Sequence, residues 1–254
     1  MIQLRHVMLC AMLSAAAMPR VQAQAAMSFV MEPFPPFVTL DKGIAAGPLP
    51  EVVRAVCAAI QTQFKFEGMP WRRAYVTAEM GSVDGIFVFV HTLEREKDFY
   101  FTDAVVQTAY ALFVRQNSRL NYTGPKDLAG YTVAAYGPSG TSSAAEDIAR
   151  HAPGMRLEIE VDNSAVMRKL DGGRYAEPAA AFMNRDVGLL MIAQQKITSL
   201  KVAGEAKRVD YAIGLSRKRM SQEQAERFIL ALRDLARKGT VKAILEKYGL
   251  KAAN

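Results

Sequence analysis

Short apolar runs that alternate with amphipathic segments constrain the fold of this chain more than any other feature of its sequence. The run Gly85–Val90 is almost continuously apolar, as expected of a strand buried in a parallel sheet. The segments Trp71–Met80 and Ser142–His151 are predicted to be helices. Strands that alternate with helices along a chain are typical of α/β units with mainly parallel sheets.

The alternating pattern begins anew after residue 118, and this restart predicts two lobes. The first lobe is expected to hold residues 27–112 together with C-terminal helices in 217–254, and the second to hold residues 113–216. Two strands near Leu112–Arg115 and Gly214–Arg217 would cross between the lobes and act as hinges. Further strands are predicted at 28–31, 64–66, 109–114, 131–136, 157–161, 179–182 and 211–216, and further helices at 51–62, 164–170, 221–238 and 241–248.

The first 25 residues have the pattern of a secretory signal peptide. Arg5 gives a positive start, Val7–Met18 is an apolar run, and small residues follow up to Ala23 and Ala25. A membrane anchor is the alternative, but the run is shorter than the roughly 20 residues that a spanning helix needs. We therefore expect export, with cleavage after Ala23 or Ala25.

Charge and cysteine content exclude several classes of function. Removal of residues 1–25 takes away Arg5 and Arg20 and no acid, so the formal net charge falls from +7 to +5. The chain has no basic stripe interleaved with aromatic residues, so nucleic-acid binding is not expected. Cys57 would be the one remaining thiol, and its apolar neighbours at helical spacing predict a buried core residue.

The sequence offers little for catalysis. His91 and His151 are not spaced with Cys, Asp or Glu in a metal-binding pattern, and neither a nucleophile elbow nor a phosphate-binding loop with its lysine occurs. We therefore expect no metal, no cofactor and no enzymatic activity. Glu32, Asp186 and the histidines are the candidates for an acid or base if this expectation fails.

Local sequence indicates two features that suit a ligand carboxylate. The turn Gly137–Ser142 leads into a predicted helix, whose first backbone N–H groups lack intrahelical acceptors. Arg95 follows a buried strand; it could pair with the acids beside it, or it could bind a carboxylate with two hydrogen bonds. Phe34 and Trp71 could be core residues or flat walls around a ligand.

A series of short motifs in a fixed order runs through most of the chain after residue 25. The segments are Phe34-Pro35-Pro36-Phe37, Gly81-Ser82-Val83-Asp84-Gly85, Thr92-Leu93-Glu94-Arg95, Phe99-Tyr100-Phe101-Thr102, Asp127-Leu128-Ala129-Gly130-Tyr131-Thr132-Val133, Gly140-Thr141-Ser142, Leu170 with Gly173-Arg174, Lys238-Gly239-Thr240 and Lys247-Tyr248-Gly249. The series resembles the family 3 solute-binding proteins, the periplasmic receptors of amino-acid-type ABC importers. The resemblance implies a type II periplasmic-binding-protein fold, with two lobes that close around a small solute.

The resemblance also implies roles for individual residues. Arg95 would bind a ligand α-carboxylate, and the backbone of Thr141 and Ser142 would bind the same group from the other lobe. Phe34 and Trp71 would be the two aromatic walls. The implied partners are a small-molecule solute and the membrane permease of an ABC importer, the implied location is the periplasm, and the default state is a monomer.

Two departures from the family pattern concern the ligand's amino group. A family serine falls on Val90, and the strand around it, which includes the candidate ligand-binding residue Val88, carries no hydroxyl. The aspartate of the second lobe's "GR-x-D-A" motif is absent, because residues 173–176 read Gly-Arg-Tyr-Ala. Asn184 or Asp186 is the expected replacement. A standard amino acid or another carboxylate-bearing polar solute fits this pattern.

Two other functions fit the same resemblance. The protein could be a periplasmic sensor that presents its closed form to a membrane receptor instead of a permease. It could also be a cyclohexadienyl-type dehydratase, since some relatives that resemble this family are enzymes, and that chemistry would need an acid or base in the cleft.

Overall fold

A computed structural model describes residues 26–253, so the predicted signal peptide at 1–25 lies outside the described residues. The strands are β1 (Met27–Met31), β2 (Thr39–Asp41), β3 (Ile44–Ala46), β4 (Phe64–Gly68), β5 (Gly85–Val90), β6 (Phe99–Phe101), β7 (Val106–Arg115), β8 (Thr132–Tyr136), β9 (Arg156–Glu160), β10 (Ala179–Asn184), β11 (Leu200–Ser216) and β12 (Lys251–Ala252). The helices are α1 (Pro48–Ala59), α2 (Trp71–Glu79), α3 (Gly140–Ala149), α4 (Asn163–Asp171), α5 (Arg185–Gln195), α6 (Gln222–Arg237) and α7 (Thr240–Glu246).

Two groups of parallel strands are joined by a pair of long antiparallel strands. The order in the main sheet is β4-β1-β5-β11-β7-β10-β8-β9. Strand β1 is parallel to β4 and β5, and β8 is parallel to β9 and β10. Helices α3 and α4 pack on the β8 group, α2 packs on β1 and β5, and α6 and α7 pack against α1. The predicted two-lobed α/β fold is confirmed.

Strands β7 and β11 connect the two groups. Residues Leu200–Tyr211 of β11 pair with β7, whereas Tyr211–Leu215 pair with β5. On β7, Tyr110–Phe113 also pair with β10. Both strands therefore change their neighbours close to Tyr110 and Tyr211. The exact lobe limits, 27–112 with 217–254 and 113–216, stay a prediction.

The predicted strands and helices are present with ends shifted by a few residues, and the short strands β2, β3, β6 and β12 were not predicted. Two differences are larger. Strand β11 begins at Leu200 instead of Tyr211, because register shifts after Val202 and Glu205 interrupt the alternation by which a strand is recognised. Helix α5 was not predicted. It contains Gly188, where an added Cβ would clash with the Phe113 ring, so close packing explains a glycine inside this helix.

The described helices contain none that is both long and apolar enough to cross a membrane.

Cys57 belongs to the core, as predicted. It lies on α1 with no exposed surface, next to buried Val53 and Val56, and it is a free thiol. Burial raises the pKa of Cys57 to about 12, because the thiolate would lose its hydration. The reactive thiolate is therefore nearly absent at neutral pH.

The first prediction concerns this thiol. Iodoacetamide at about pH 8 should leave Cys57 unmodified in the folded protein and should alkylate it after unfolding in guanidinium, because alkylation needs the thiolate. Peptide mapping by mass spectrometry measures both states. Equal labelling of Cys57 in the folded and unfolded protein would contradict its placement in the core.

Candidate functional site

A cavity lies at the carboxyl ends of β1, β5 and β8, where ligands bind in open α/β sheets. Five of the residues expected at the ligand site line this cavity, namely Phe34, Trp71, Val88, Arg95 and Thr141. The cavity adjoins a wider part of the cleft that has charged walls and shares Arg95 and Gly140 with it. The structure thus brings together residues that are up to about a hundred positions apart in the sequence.

Arg95 presents a cation that no acid between residues 26 and 253 neutralises. It begins a short 3-10 helix after β5, and its Nη1 donates a 2.7 Å hydrogen bond to the carbonyl of Val90. Its guanidinium lies over the ring of Phe89, with Cζ 4.5 Å from the centroid. Glu96 pairs instead with Nε2 of His91 at 2.6 Å. In the part of the chain that the structure describes, Arg95 makes no ion pair, so the alternative in which it pairs with neighbouring acids is not observed.

Burial strengthens the interaction that the Arg95 guanidinium can make with an anion. Desolvation lowers the pKa of Arg95 from its ordinary value, although the group stays protonated at neutral pH. A half-buried guanidinium with unused N–H groups gains more from an anion than an exposed one does, because water competes less. Arg95 is therefore suited to a carboxylate in the cavity.

The start of α3 faces the same cavity, but its amides are not all free. Ser139 Oγ accepts hydrogen bonds from the backbone N–H of Thr141 at 3.1 Å and of Ser142 at 3.4 Å. The hydroxyl of Ser142 is also used, since it donates to the Ser139 carbonyl at 2.9 Å and accepts from the Ser139 amide. Ser142 does not line the cavity, because this capping box holds it.

Gly140 and Thr141 form the surface of α3 that the cavity reaches. The N–H of Gly140 is the first of the helix and has no intrahelical acceptor. A Cβ at Gly140 would lie 3.3 Å from the hydroxyl oxygen of Tyr110, so the backbone approaches the cavity wall closely here. An anion at this point would meet the Gly140 amide and the positive end of the helix dipole.

The structure does not bring Asn184 and Asp186, the expected partners of a ligand amino group, to the cavity. Oδ1 of Asn184 accepts from the backbone amides at the start of α5, and its Nδ2 donates to Thr108 at 3.1 Å and to Tyr211 at 3.2 Å. Asp186 accepts a 2.6 Å hydrogen bond from Thr108 and pairs with Arg185. The polar groups of these two side chains are therefore engaged in hydrogen bonds and an ion pair where β7, β10 and β11 meet.

Glu32 is the cavity residue that the sequence indicated only as an acid or base. It follows β1 directly, and its carboxylate accepts a 3.0 Å hydrogen bond from Tyr136 Oη at the end of β8. Burial raises the pKa of Glu32, and the Tyr136 hydroxyl and the nearby backbone of Trp71 offset only part of that rise. An acid immediately after the first strand was the available signal; its contact with Tyr136 was not foreseeable.

Val88 has an unusual backbone conformation for a β-branched residue. Its φ is +60°, and it falls at the point of β5 where the pairing with β11 shifts, between Phe87 and Phe89. Such a conformation costs energy and is found preferentially at binding sites. The bulge turns this segment of β5 out of the regular ladder at the cavity wall.

Two aromatic rings, Phe37 and Tyr211, pack against Phe34, and Tyr211 also lines the cavity. Phe34 stacks on Phe37 with centroids 5.8 Å apart, and Tyr211 meets Phe37 edge-on at 5.2 Å. Trp71 also lines the cavity, and its ring centroid lies 5.9 Å from that of Phe89. Phe34 and Trp71 therefore serve both packing and the cavity. No cluster of His, Cys, Asp and Glu suited to a metal ion occurs within residues 26–253.

A two-lobed fold with a largely apolar cavity and a few convergent polar groups at its strand ends is typical of proteins that bind small solutes. The family model for bacterial extracellular solute-binding proteins, family 3, matches residues 28–251. The chain belongs to this family.

Solved structures show the same fold at low sequence identity. An ancestral arginine-binding protein bound to arginine is 22% identical with a TM-score of 0.76, and the alignment covers 89% of this chain and 99% of that one. A histidine kinase sensor domain with similarity to periplasmic binding proteins is 21% identical with a TM-score of 0.79, covering 91% and 99%. The arginine-, lysine-, histidine-binding protein ArtJ from Geobacillus stearothermophilus is 18% identical with a TM-score of 0.74, covering 88% and 95%. A search of curated proteins found no match.

The second prediction tests the environment of Glu32. Because its pKa is raised in the folded state, the folded protein binds this proton more tightly than the unfolded chain does. The stability that results is fully present below the ordinary pKa of 4.5 and is lost as pH rises through the folded value. Glu32→Gln should therefore raise the unfolding midpoint of the ligand-free protein at about pH 8, and the gain should shrink toward about pH 4.

Scanning calorimetry across this pH range measures the effect. Glu67→Gln is the matched control, since Glu67 is exposed on β4 and lies away from the cavity. A loss of stability in Glu32→Gln that is equal at both ends of the range would show that Glu32 is not a desolvated carboxylate.

Proposed function

We propose that this protein is an extracytoplasmic receptor that captures a small polar, carboxylate-bearing solute between its lobes and delivers it to an ABC importer. The observation that carries the proposal is Arg95, a half-buried guanidinium without an acidic partner among the described residues, in the same cavity as the start of α3. A single carboxylate would neutralise the cation and also accept a hydrogen bond from the Gly140 amide.

The surrounding side chains support a ligand with a flat or apolar part. Phe34, Trp71 and Val90 line the cavity beside the polar groups. Apolar walls with a few convergent polar groups are the usual composition of a small-molecule site, since the walls contribute burial and the polar groups fix orientation. An amino acid or a related carboxylate has both parts.

Binding between the lobes would couple occupancy to closure. Arg95 follows β5, whereas Gly140 and Thr141 follow β8, and these strands belong to different parallel groups. A solute that touches both groups stabilises the arrangement in which they are close. We place the hinge where β7 and β11 change neighbours, near Tyr110 and Tyr211, within a few residues of the positions expected from sequence.

Transport and sensing differ only in the partner of the closed form. Amino-acid ABC transporter proteins among the structural neighbours support a permease as the partner. In this proposal the protein acts as a monomer in the periplasm after its signal peptide is removed. The histidine kinase sensor domain, with a TM-score of 0.79, supports a sensory role on the same fold. Pull-down with the candidate permeases, compared with candidate sensor kinases, separates the two.

Binding without catalysis fits the described groups better than a dehydratase does. His91 pairs with Glu96 and lines only the wider part of the cleft, and His151, which hydrogen-bonds to the carbonyl of Asp147, lines neither part. Glu32 lines the narrower cavity and accepts a hydrogen bond from Tyr136, but no histidine and no second acid of the described chain lines that cavity to act with it. Incubation with prephenate-like substrates would reveal a product if the protein were an enzyme.

The third prediction follows from the position of Arg95. A thermal-shift screen of amino acids, organic acids, opines and polyamines should find carboxylate-bearing compounds that raise the unfolding midpoint, because a ligand of the folded state stabilises it. For a compound so identified, Arg95→Ala should weaken binding by about 2–5 kcal/mol in isothermal titration calorimetry.

Arg119→Ala is the matched control, since Arg119 is exposed and outside the cavity, and its affinity should equal that of the unaltered protein. If Arg95→Ala binds the same compound as tightly as Arg119→Ala does, the carboxylate site is elsewhere.

A further inference from the structure

The C-terminal strand β12 pairs with one of the two long strands that join the parallel groups. Lys251–Ala252 run antiparallel to Val106–Gln107 at the start of β7. The backbone N–H of Ala253 continues this pairing with a 3.1 Å hydrogen bond to the carbonyl of Val105. The beginning of β7 is therefore held by a segment that lies far away in the sequence.

The residues just before β12 attach it to the parallel group of β1, β4 and β5. Tyr248 Oη donates a hydrogen bond to the carboxylate of Glu51 on α1, and Nζ of Lys247 donates to the same carboxylate at 3.0 Å. Helix α1 in turn packs on β4, where Cζ of Arg54 lies 5.1 Å from the ring centroid of Phe66. Strand β12 is thus fixed to the first of the two groups.

Strands β12 and β10 share one edge of β7. Strand β11 pairs with β7 from Val106 to Arg115, so it occupies the other edge along the whole strand. On the shared edge, β12 pairs with Val106–Gln107 and β10 pairs with Tyr110–Phe113. Strand β10 is parallel to β8 and belongs to the second group. Each group therefore holds one part of the same edge.

Thr108 and Ala109 lie between the two paired stretches of this edge. Among residues 26–253, neither has a strand partner there, although both pair with β11 on the other edge. A strand that is hydrogen-bonded on both edges resists bending, because a change in its φ and ψ angles would break bonds of a ladder. Rotation of one group relative to the other would therefore be concentrated at Thr108 and Ala109, where a single ladder holds β7.

We propose that β12 together with Ala253 is a clamp that confines the bend of β7 to Thr108–Ala109 and so limits how far the lobes open. Without the clamp, the bend could extend through Val105–Gln107, and the open form would gain a wider range of lobe orientations. A larger open ensemble lowers the fraction of the closed form and with it the apparent affinity for a solute. Closure of the lobes belongs to the function proposed above, on which this inference rests; the limit on opening goes beyond it.

Two proline variants test the clamp without changing any charge. Ala253→Pro removes the N–H that bonds to the carbonyl of Val105, because proline has no backbone donor. Ala252→Pro is the matched control: successive N–H groups of a strand point alternately toward and away from its partner, so the Ala252 N–H points away from β7. Deletion of residues 251–254 removes β12 in a second way and leaves Tyr248 in place.

The separation of the lobes is measured by double electron–electron resonance between spin labels at Leu93→Cys and Val161→Cys, in protein without ligand. Both positions are highly exposed. They follow the carboxyl ends of β5 and β9, which belong to different parallel groups, so the distance between the labels reports on opening. Cys57 is buried and should stay unlabelled.

The fourth prediction is a wider opening when the clamp is released. Ala253→Pro and the deletion should each broaden the distribution of label-to-label distances and shift it to longer distances, whereas Ala252→Pro should leave it unchanged. In the protein without substitutions, the Ala253 amide should exchange with solvent more slowly than in an unstructured chain, by about 10-fold or more, because it is bonded to Val105. Residue-resolved hydrogen exchange by NMR measures this protection.

Three outcomes would overturn the clamp. One is a distance distribution that Ala253→Pro and the deletion leave as narrow as in the parent protein, and another is equal broadening by Ala252→Pro. The third is an unprotected Ala253 amide in the protein without substitutions, a measurement that does not depend on the folding of any variant. A thermal-shift screen in which no carboxylate-bearing compound binds would instead contradict the proposed function and leave the clamp intact, because neither measurement uses a ligand.

Discussion

A half-buried guanidinium that no acid of the described chain neutralises is the physical constraint on which the site depends. Removing such a charge from water is costly, and the ring of Phe89 and the carbonyl of Val90 compensate for only part of the lost hydration. In the function that we propose, an anion that enters the cavity would meet the remaining deficit. Glu32, a partly buried carboxylate in the same cavity, accepts a hydrogen bond from Tyr136 and likewise makes no ion pair among the described residues.

The long strands β7 and β11 make this arrangement conditional on the relative position of the lobes. Thr108, Asn184 and Tyr211 form a buried hydrogen-bonded network at the point where those strands meet β10. Tyr211 reaches from this network into the cavity wall. A polar network that is fully satisfied in one geometry favours that geometry, and here it lies directly beneath the ligand cavity.

Much of the fold could be predicted because its signals are local. Apolar runs such as Gly85–Val90 mark buried strands, and Arg95 lies just after one of them, so its place at a strand end follows from the chain order. The 17-residue strand β11 and helix α5 were missed or shortened, since bulges and a glycine packed on Phe113 depend on partners that are distant in sequence. Local pattern carries no information on such partners.

The polar part of the site was less predictable for the same reason. Asn184 and Asp186 could accept hydrogen bonds from an ammonium, but tertiary hydrogen bonds with Thr108 and Tyr211 already engage their side chains. Glu32 has the same chemistry, and it is oriented by a tyrosine 104 positions away.

A crystal structure with a ligand found by screening tests the central claim most directly. The account predicts a carboxylate in contact with both the Arg95 guanidinium and the Gly140 amide; a ligand bound outside this cavity, or touching neither group, would contradict it.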